Sequence, residues 1–153
     1  MALTYEKPTL KDIPAMQALV EPEVANGLIL RRDVNEMAQT IRSYTIAKDK
    51  DELVGFAALN IYSPKLAEVR SLVVGRAWRG RGVGSELVRR LEEEGRRLGL
   101  EMILVLTYHR TLFEKLGFEE IPKEQIPEQK IWADCIKCPH FPVCNEISLI
   151  KKL

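Results

Sequence analysis

One stretch constrains the fold of this chain more than any other: EVRSLVVGRAWRGRGVGSELVRRLEEEGRRLG, residues 68–99. It reads as an apolar strand, a glycine-rich turn and a helix, in that order. Residues 67–74 carry the valines and leucines of a strand. Past the turn, Leu87, Val88, Leu91, Gly95 and Leu98 fall on one helical face, and the arginine and glutamate runs fall largely outside it. Gly99 closes the helix. A strand led through glycines into a helix builds an anion site. The first helical turn leaves N–H groups unpaired, and the aligned peptide dipoles favour negative charge there. Gly80, Gly82 and Gly84 keep side chains out of the way of a phosphate. Arg79 and Arg81 add cationic groups. The stretch does not follow the P-loop, since Gly84 is followed by Ser85 with no lysine. Its glycines are spaced G-x-G-x-G, not G-x-G-x-x-G as in the dinucleotide fingerprint. Neither a nucleoside triphosphate nor a nicotinamide dinucleotide is supported.

The rest of the chain supplies the flanking elements. Residues 3–7 read as a first strand, and Thr9 with Asp12 starts a helix whose Ile13, Met16, Leu19 and Val20 share a face. Gly27 closes that region. Asp33 and Glu36 repeat the capping-box pattern, with Met37 and Ile41 as an apolar stripe. Residues 44–47, the turn KDKDE and residues 53–62 predict a β-hairpin. Residues 102–106 form an apolar run suited to a strand buried on both faces. A short helix over 111–116 stops at Gly117, Phe118 begins another strand, and ISLI lies near the end. The order β-α-α-β-β-β-α-β-α-β predicts an α/β fold, a mixed central β-sheet flanked by helices. With 153 residues, 46% of them hydrophobic, one domain over 1–153 is expected, its residues 125–153 being a cysteine-containing segment. The 23 basic and 22 acidic residues leave a net charge of +1, which argues against a nucleic-acid partner. The start is too polar for a secretory signal and no apolar run suits a membrane span, so a soluble, cytoplasmic protein is expected.

The pattern R-x-x-G-x-G, made by Arg79, Gly82 and Gly84 after an apolar strand, resembles the acetyl-CoA pyrophosphate loop of the GNAT superfamily of N-acetyltransferases. RSLVVGRAWRGRGVGSELV matches the strand–loop–helix core of that superfamily, and LFEKLGF, residues 112–118, matches the segment after its next strand. The resemblance implies the GNAT fold, in which strands equivalent to 67–74 and 102–106 splay apart around the pantetheine arm of acetyl-CoA. It implies that backbone groups of Leu72, Val73 and Val74 bind that arm. The pyrophosphate would be held by Arg79, Gly80, Arg81, Gly82, Val83, Gly84 and Ser85. Homodimers are common in the superfamily.

Over nearly its whole length the chain is similar to bacterial short-form N-acetylglutamate synthases, on VEPEVANGLILRRD, AEVRSLVV, LTY before LFEKLGF, and KIWADCIKCPHFPVCNEISLI. Those enzymes acetylate the α-amine of glutamate, the first step of arginine biosynthesis, so the resemblance implies acetyl-CoA and L-glutamate as co-substrates. A dicarboxylate suits arginine forks. Arg31 and Arg32 in LILRRD, Arg70 on the central strand and Lys130 in QKIW are the candidate acceptor ligands. The alternatives are a solvated loop for Arg31 and Arg32, an ion pair for Arg70 and a surface lysine for Lys130.

The acceptor amine must lose a proton before it attacks the thioester. Glu68 is the candidate base, acting through a water. Glu68 and Arg70 stand two apart on a strand and share a face, so an ion pair between them is the competing reading. A backbone N–H on residues 70–74 can donate to the oxyanion. Many members of the superfamily carry a tyrosine acid where this chain has Phe113. Tyr108 is the nearest replacement, its alternative being an aromatic at the sheet edge, and His109 reads as an exposed histidine. A CoA thiol is acidic enough to depart without a protein acid. With no nucleophile placed to form an acyl-enzyme, direct attack in a ternary complex is expected.

Cys135, Cys138 and Cys144 with His140 have the residue types of a Cys3His zinc site. A second C-x-x-C pair is missing and His140 lies one residue past Pro139, so structural zinc is not favoured over free thiols or a redox-sensitive disulfide. Two rival functions stay open. One is an acetyltransferase for another small amine, amino acid or protein N-terminus, with Arg31 and Arg32 arguing against a polyamine. The other is a non-catalytic acyl-CoA-binding regulatory module, which Phe113 keeps in view.

Overall fold

The computed structural model describes residues 3–122, 125 and 147–153. Lys130, Cys135, Cys138, His140 and Cys144 lie outside the described residues. The elements are β1 (Thr4–Glu6), α1 (Ile13–Ala25), α2 (Val34–Gln39), β2 (Tyr44–Asp49), β3 (Glu52–Ile61), β4 (Leu66–Val74), α3 (Val83–Leu98), β5 (Met102–Thr107), α4 (Arg110–Lys115), β6 (Glu119–Ile121) and β7 (Ile147–Lys152). The 3-10 turns Leu10–Asp12, Ile41–Ser43 and Arg76–Trp78 join them. The strands form one seven-stranded sheet in the order β1-β2-β3-β4-β5-β7-β6. Neighbours are antiparallel except β4 and β5, which are parallel.

Apolar patterning divides the core between the two faces of this sheet. Val83, Leu87, Val88 and Leu91 of α3 pack with Ala67 and Val69 of β4 and Ile103 and Val105 of β5. On the other face, Ile13 and Met16 of α1 and Met37 of α2 pack with Tyr44, Ile46, Phe56, Ala58 and Val73. Burying a Val or Leu side chain fully contributes roughly 1.5–3 kcal/mol, so α3 is held chiefly by this stripe. Glycines in the left-handed region bound it, Gly82 at φ +84° before its first turn and Gly99 at φ +86° after its last.

Thr9 and Asp12 make the expected capping box, at the start of the 3-10 turn that precedes α1. Asp33 caps α2 by accepting from the Glu36 N–H at 2.8 Å, while the Glu36 carboxylate engages Arg32 at 3.1 Å. The hairpin, the central strand and α3 lie within one or two residues of their expected bounds.

One feature of β4 carries no mark in the sequence. Phe56 pairs with Val73 and Ala58 with Arg70, so two steps along β3 face three along β4. The extra residue is a β-bulge, and Ser71 takes φ +57° within it. A one-residue slip reverses the faces of a strand. Ala67 and Val69 therefore face α3, whereas Val73 beyond the bulge packs on the α1 and α2 side. Glu68 and Arg70, alternating with Val69, are left on the side of α1 and α2.

Candidate active site

Strands β4 and β5 pair only at Leu66–Met102, Ala67–Ile103 and Glu68–Leu104. Beyond Glu68 they part, and a cavity of about 790 Å³ lies along the opening. That is ample for a cofactor arm, since ligand sites run to roughly 300–1,000 Å³. One wall is β4 from Glu68 to Val74, and the other is Val105, Leu106 and Thr107 of β5 with the segment that follows. A strand edge without its neighbour leaves backbone N–H and C=O groups for a ligand to pair with.

The glycine loop closes the far end of β4. Gly80, Gly82, Val83, Gly84 and Ser85 all line the cavity, as do Leu72, Val73, Val74 and Arg79. Gly80 has φ +75° and Gly82 +84°, a region costly for a residue with a Cβ. Gly84 sits inside the first turn of α3, where an added Cβ would lie 3.7 Å from Val74 and 3.8 Å from Leu112, both ordinary contacts. Gly82→Ala is therefore expected to lower unfolding free energy by about 1–2 kcal/mol. Gly84→Ala should be neutral or mildly stabilising, as glycine within a helix is the poorer residue. Denaturant melts of the two variants check this contrast.

Two predicted cofactor residues meet partners that the sequence did not single out. The Arg79 guanidinium pairs with Glu23 of α1 at 2.6 Å, and its Nε donates to the Val74 carbonyl at 3.0 Å. Glu23 also lines the cavity. Arg81 is outside the cavity wall, its guanidinium 5.2 Å from the centre of the Trp78 ring, and Trp78 does line the cavity. The hydrogen-bonding edge expected of Leu72 to Val74 is thus partly engaged by Arg79 from within the chain.

The predicted acceptor residues separate. Arg32 and Arg70 both line the cavity. The Arg32 side chain is only 9% exposed and pairs with Glu36. Its neighbour Arg31 points outward, 65% exposed, with both its guanidinium nitrogens on Glu21 at 3.0 and 3.2 Å. Arg31 is therefore set apart from the cavity lining. Arg32 and Arg70 both act on Tyr44. Burial pushes its phenol above the usual tyrosine range, and the charges of Arg32 and Arg70 oppose that rise.

Glu68 is 1% exposed, lines the cavity, and accepts a 2.6 Å hydrogen bond from the Tyr62 hydroxyl. Tyr108 lines the cavity and is 37% exposed, beside His109, whose N–H donates to Thr107 Oγ1 at 2.9 Å. Phe113 is buried and meets Phe118 edge-on at 5.3 Å, so this ring serves the core while touching the cavity. Sequence reasoning missed Glu23, Leu28, Ile29, Leu30, Trp78 and Thr107 as cavity residues. Only LILRR offered a signal, since its apolar residues adjoin the arginines already chosen.

Among the described residues, no helix is long and apolar enough to cross a membrane.

A family model described as the Acetyltransferase (GNAT) family matches residues 15–118. An uncharacterised N-acetyltransferase of Chlorobaculum tepidum is 37% identical over 144 residues, 94% of this chain and 92% of that protein. An amino-acid acetyltransferase of Mycobacterium tuberculosis is 31% identical over 113 residues, 72% of this chain and 64% of that protein. The N-acetylglutamate synthase of Neisseria gonorrhoeae, solved with coenzyme A and N-acetyl-glutamate, matches with a TM-score of 0.90 at 21% identity. That match covers 100% of this chain and 35% of the synthase, so the chain spans about a third of it and the likeness is one of fold. With its splayed strands, glycine loop and family match in agreement, this chain belongs to the Acetyltransferase (GNAT) family.

Proposed function

We propose that this chain transfers acetyl from acetyl-CoA to the α-amine of L-glutamate by direct attack in a ternary complex. The observation that carries the proposal is the shared cavity: the glycine loop, Glu68, Arg32 and Arg70 all border it. An anionic cofactor and an acidic acceptor can then meet at one place. The Chlorobaculum relative supports N-acetyl transfer in general, and the Mycobacterium relative supports an amino acid as the acceptor.

In this reading the N–H groups at the start of α3 hold the pyrophosphate, and the parted edge of β4 pairs with the pantetheine arm. Arg32 and Arg70 hold the carboxylates of glutamate. Glu68, directly or through a water, takes a proton from the acceptor ammonium. The freed lone pair attacks the thioester carbonyl, and a backbone N–H of β4 donates to the oxyanion. The C–S bond then breaks, the nitrogen sheds its remaining extra proton, and the thiolate collects one. Tyr108, the cavity residue that follows β5, is the phenol for that delivery. The net products are N-acetylglutamate, CoA thiol and one proton.

The test is release of CoA thiol from acetyl-CoA with each common amino acid and spermidine offered in turn. Glutamate-dependent release, with N-acetylglutamate seen by mass, is the expected result. Release only with another acceptor overturns the assignment of glutamate. Acetyl-CoA binding without release from any of these acceptors favours an acceptor not offered, such as a protein N-terminus, or the non-catalytic acyl-CoA-binding module.

A further inference from the structure

We propose that Tyr62 is the positioning residue for Glu68, a role that rests on Glu68 acting as the base. The hairpin of β3 and β4 dictates the contact. Asn60 pairs with Glu68 and Ile61 with Ala67, so Tyr62 lies one step beyond, on the face shared by Asn60 and Glu68. Tyr62 and Glu68 are thus diagonal neighbours, within reach of a long aromatic side chain.

The turn holds Tyr62 in place. Its N–H donates to the Leu66 carbonyl at 2.9 Å, and Ser63 Oγ accepts from the N–H groups of Lys65 and Leu66, each at 3.2 Å. From that anchored backbone the half-buried ring carries its hydroxyl to Glu68 Oε1 at 2.6 Å. This length belongs to the short, charge-assisted class of O–H···O⁻ bonds. Glu68 lines the cavity and Tyr62 does not, so Tyr62 acts through Glu68.

A carboxylate has two oxygens, and a base must present one of them along a fixed direction. Holding Oε1, Tyr62 fixes the direction in which the carboxylate meets the amine. The proton lost by the acceptor ends on the Glu68 carboxylate. The phenol keeps its own proton throughout and donates to Oε1 before and after transfer. No atom leaves Tyr62.

Tyr62→Phe keeps the ring and removes the hydroxyl. Losing a hydrogen bond to a charged group is expected to lower kcat by about 10–100-fold. The KM values for acetyl-CoA and for the acceptor should stay within about twofold, because a positioning residue acts only on the chemical step. In the double variant with Glu68→Gln, kcat should fall no further than in Glu68→Gln alone, since both changes remove one device. A purely structural role for Tyr62 would give losses that multiply. Thermal melts and acetyl-CoA binding, followed by fluorescence, establish that each variant is folded. Wild-type kcat in Tyr62→Phe while Glu68→Gln is impaired, or multiplying losses, overturns the inference about Tyr62. Wild-type kcat in Glu68→Gln overturns the reading of Glu68 as the base.

Discussion

Glu68→Gln is expected to lower kcat by about 10²–10⁴-fold, the usual worth of a positioned general base. Glutamine has nearly the same shape and its amide oxygen still accepts from Tyr62, so the fold and the short hydrogen bond to the turn survive. What disappears is the capacity to take a proton. Acetyl-CoA affinity should be unchanged, because the proposed anion site at the start of α3 involves different residues. Equal losses in kcat and kcat/KM would mark an interaction made only in the transition state. Turnover that persists at the wild-type rate would remove Glu68 from the chemistry and leave the amine to find its own proton acceptor. The measurement is steady-state thiol release with glutamate varied, alongside equilibrium binding of acetyl-CoA.

Arg70→Ala should lower kcat/KM for glutamate by about 10–150-fold, the worth of a hydrogen bond to a charged group. The KM for acetyl-CoA should hardly move. Arg70→Lys should recover little of the loss, since an ammonium does not reproduce a planar fork on a carboxylate. Arg31→Ala is the internal control. Its guanidinium lies outside the cavity, exposed and paired with Glu21, so glutamate kinetics should stay within about twofold of wild type. If Arg31→Ala impairs glutamate use and Arg70→Ala does not, the acceptor lies on the outer face of the loop and not in the cavity. Arg32 is a harder probe, because its removal would also strip the Glu36 carboxylate of its partner. A loss there would need a stability measurement beside it.

Local patterns made the glycine loop and α3 legible. The glycines of the turn announce themselves because Gly80 and Gly82 occupy backbone angles that other residues avoid. The stripe of α3 is legible because one helix face packs on one sheet face. Contacts between residues distant in sequence were not legible. Arg79 and Glu23 are 56 positions apart, and nothing near either names the other. Arg31 and Arg32 look alike as letters. Only the path of the loop into α2 turns one outward and the other into the cavity. Tyr62 was invisible for a related reason: its meaning comes from the register of a hairpin, which the sequence brackets only to within a residue or two. The bulge is the extreme case, since it exists only as a mismatch in count between two paired strands.

That mismatch bears on how such a molecule can change over generations. Because the strand switches phase at Ser71, its alternating positions form two separate alphabets. On the proposed roles, upstream 68 and 70 serve the acceptor, one taking its proton and the other holding its carboxylate; downstream, 72 and 74 belong to the grip on the donor. On those roles, a lineage could rewrite the first word letter by letter and inherit the second intact. An insertion or deletion of one residue between Arg70 and Val73 would garble both at once.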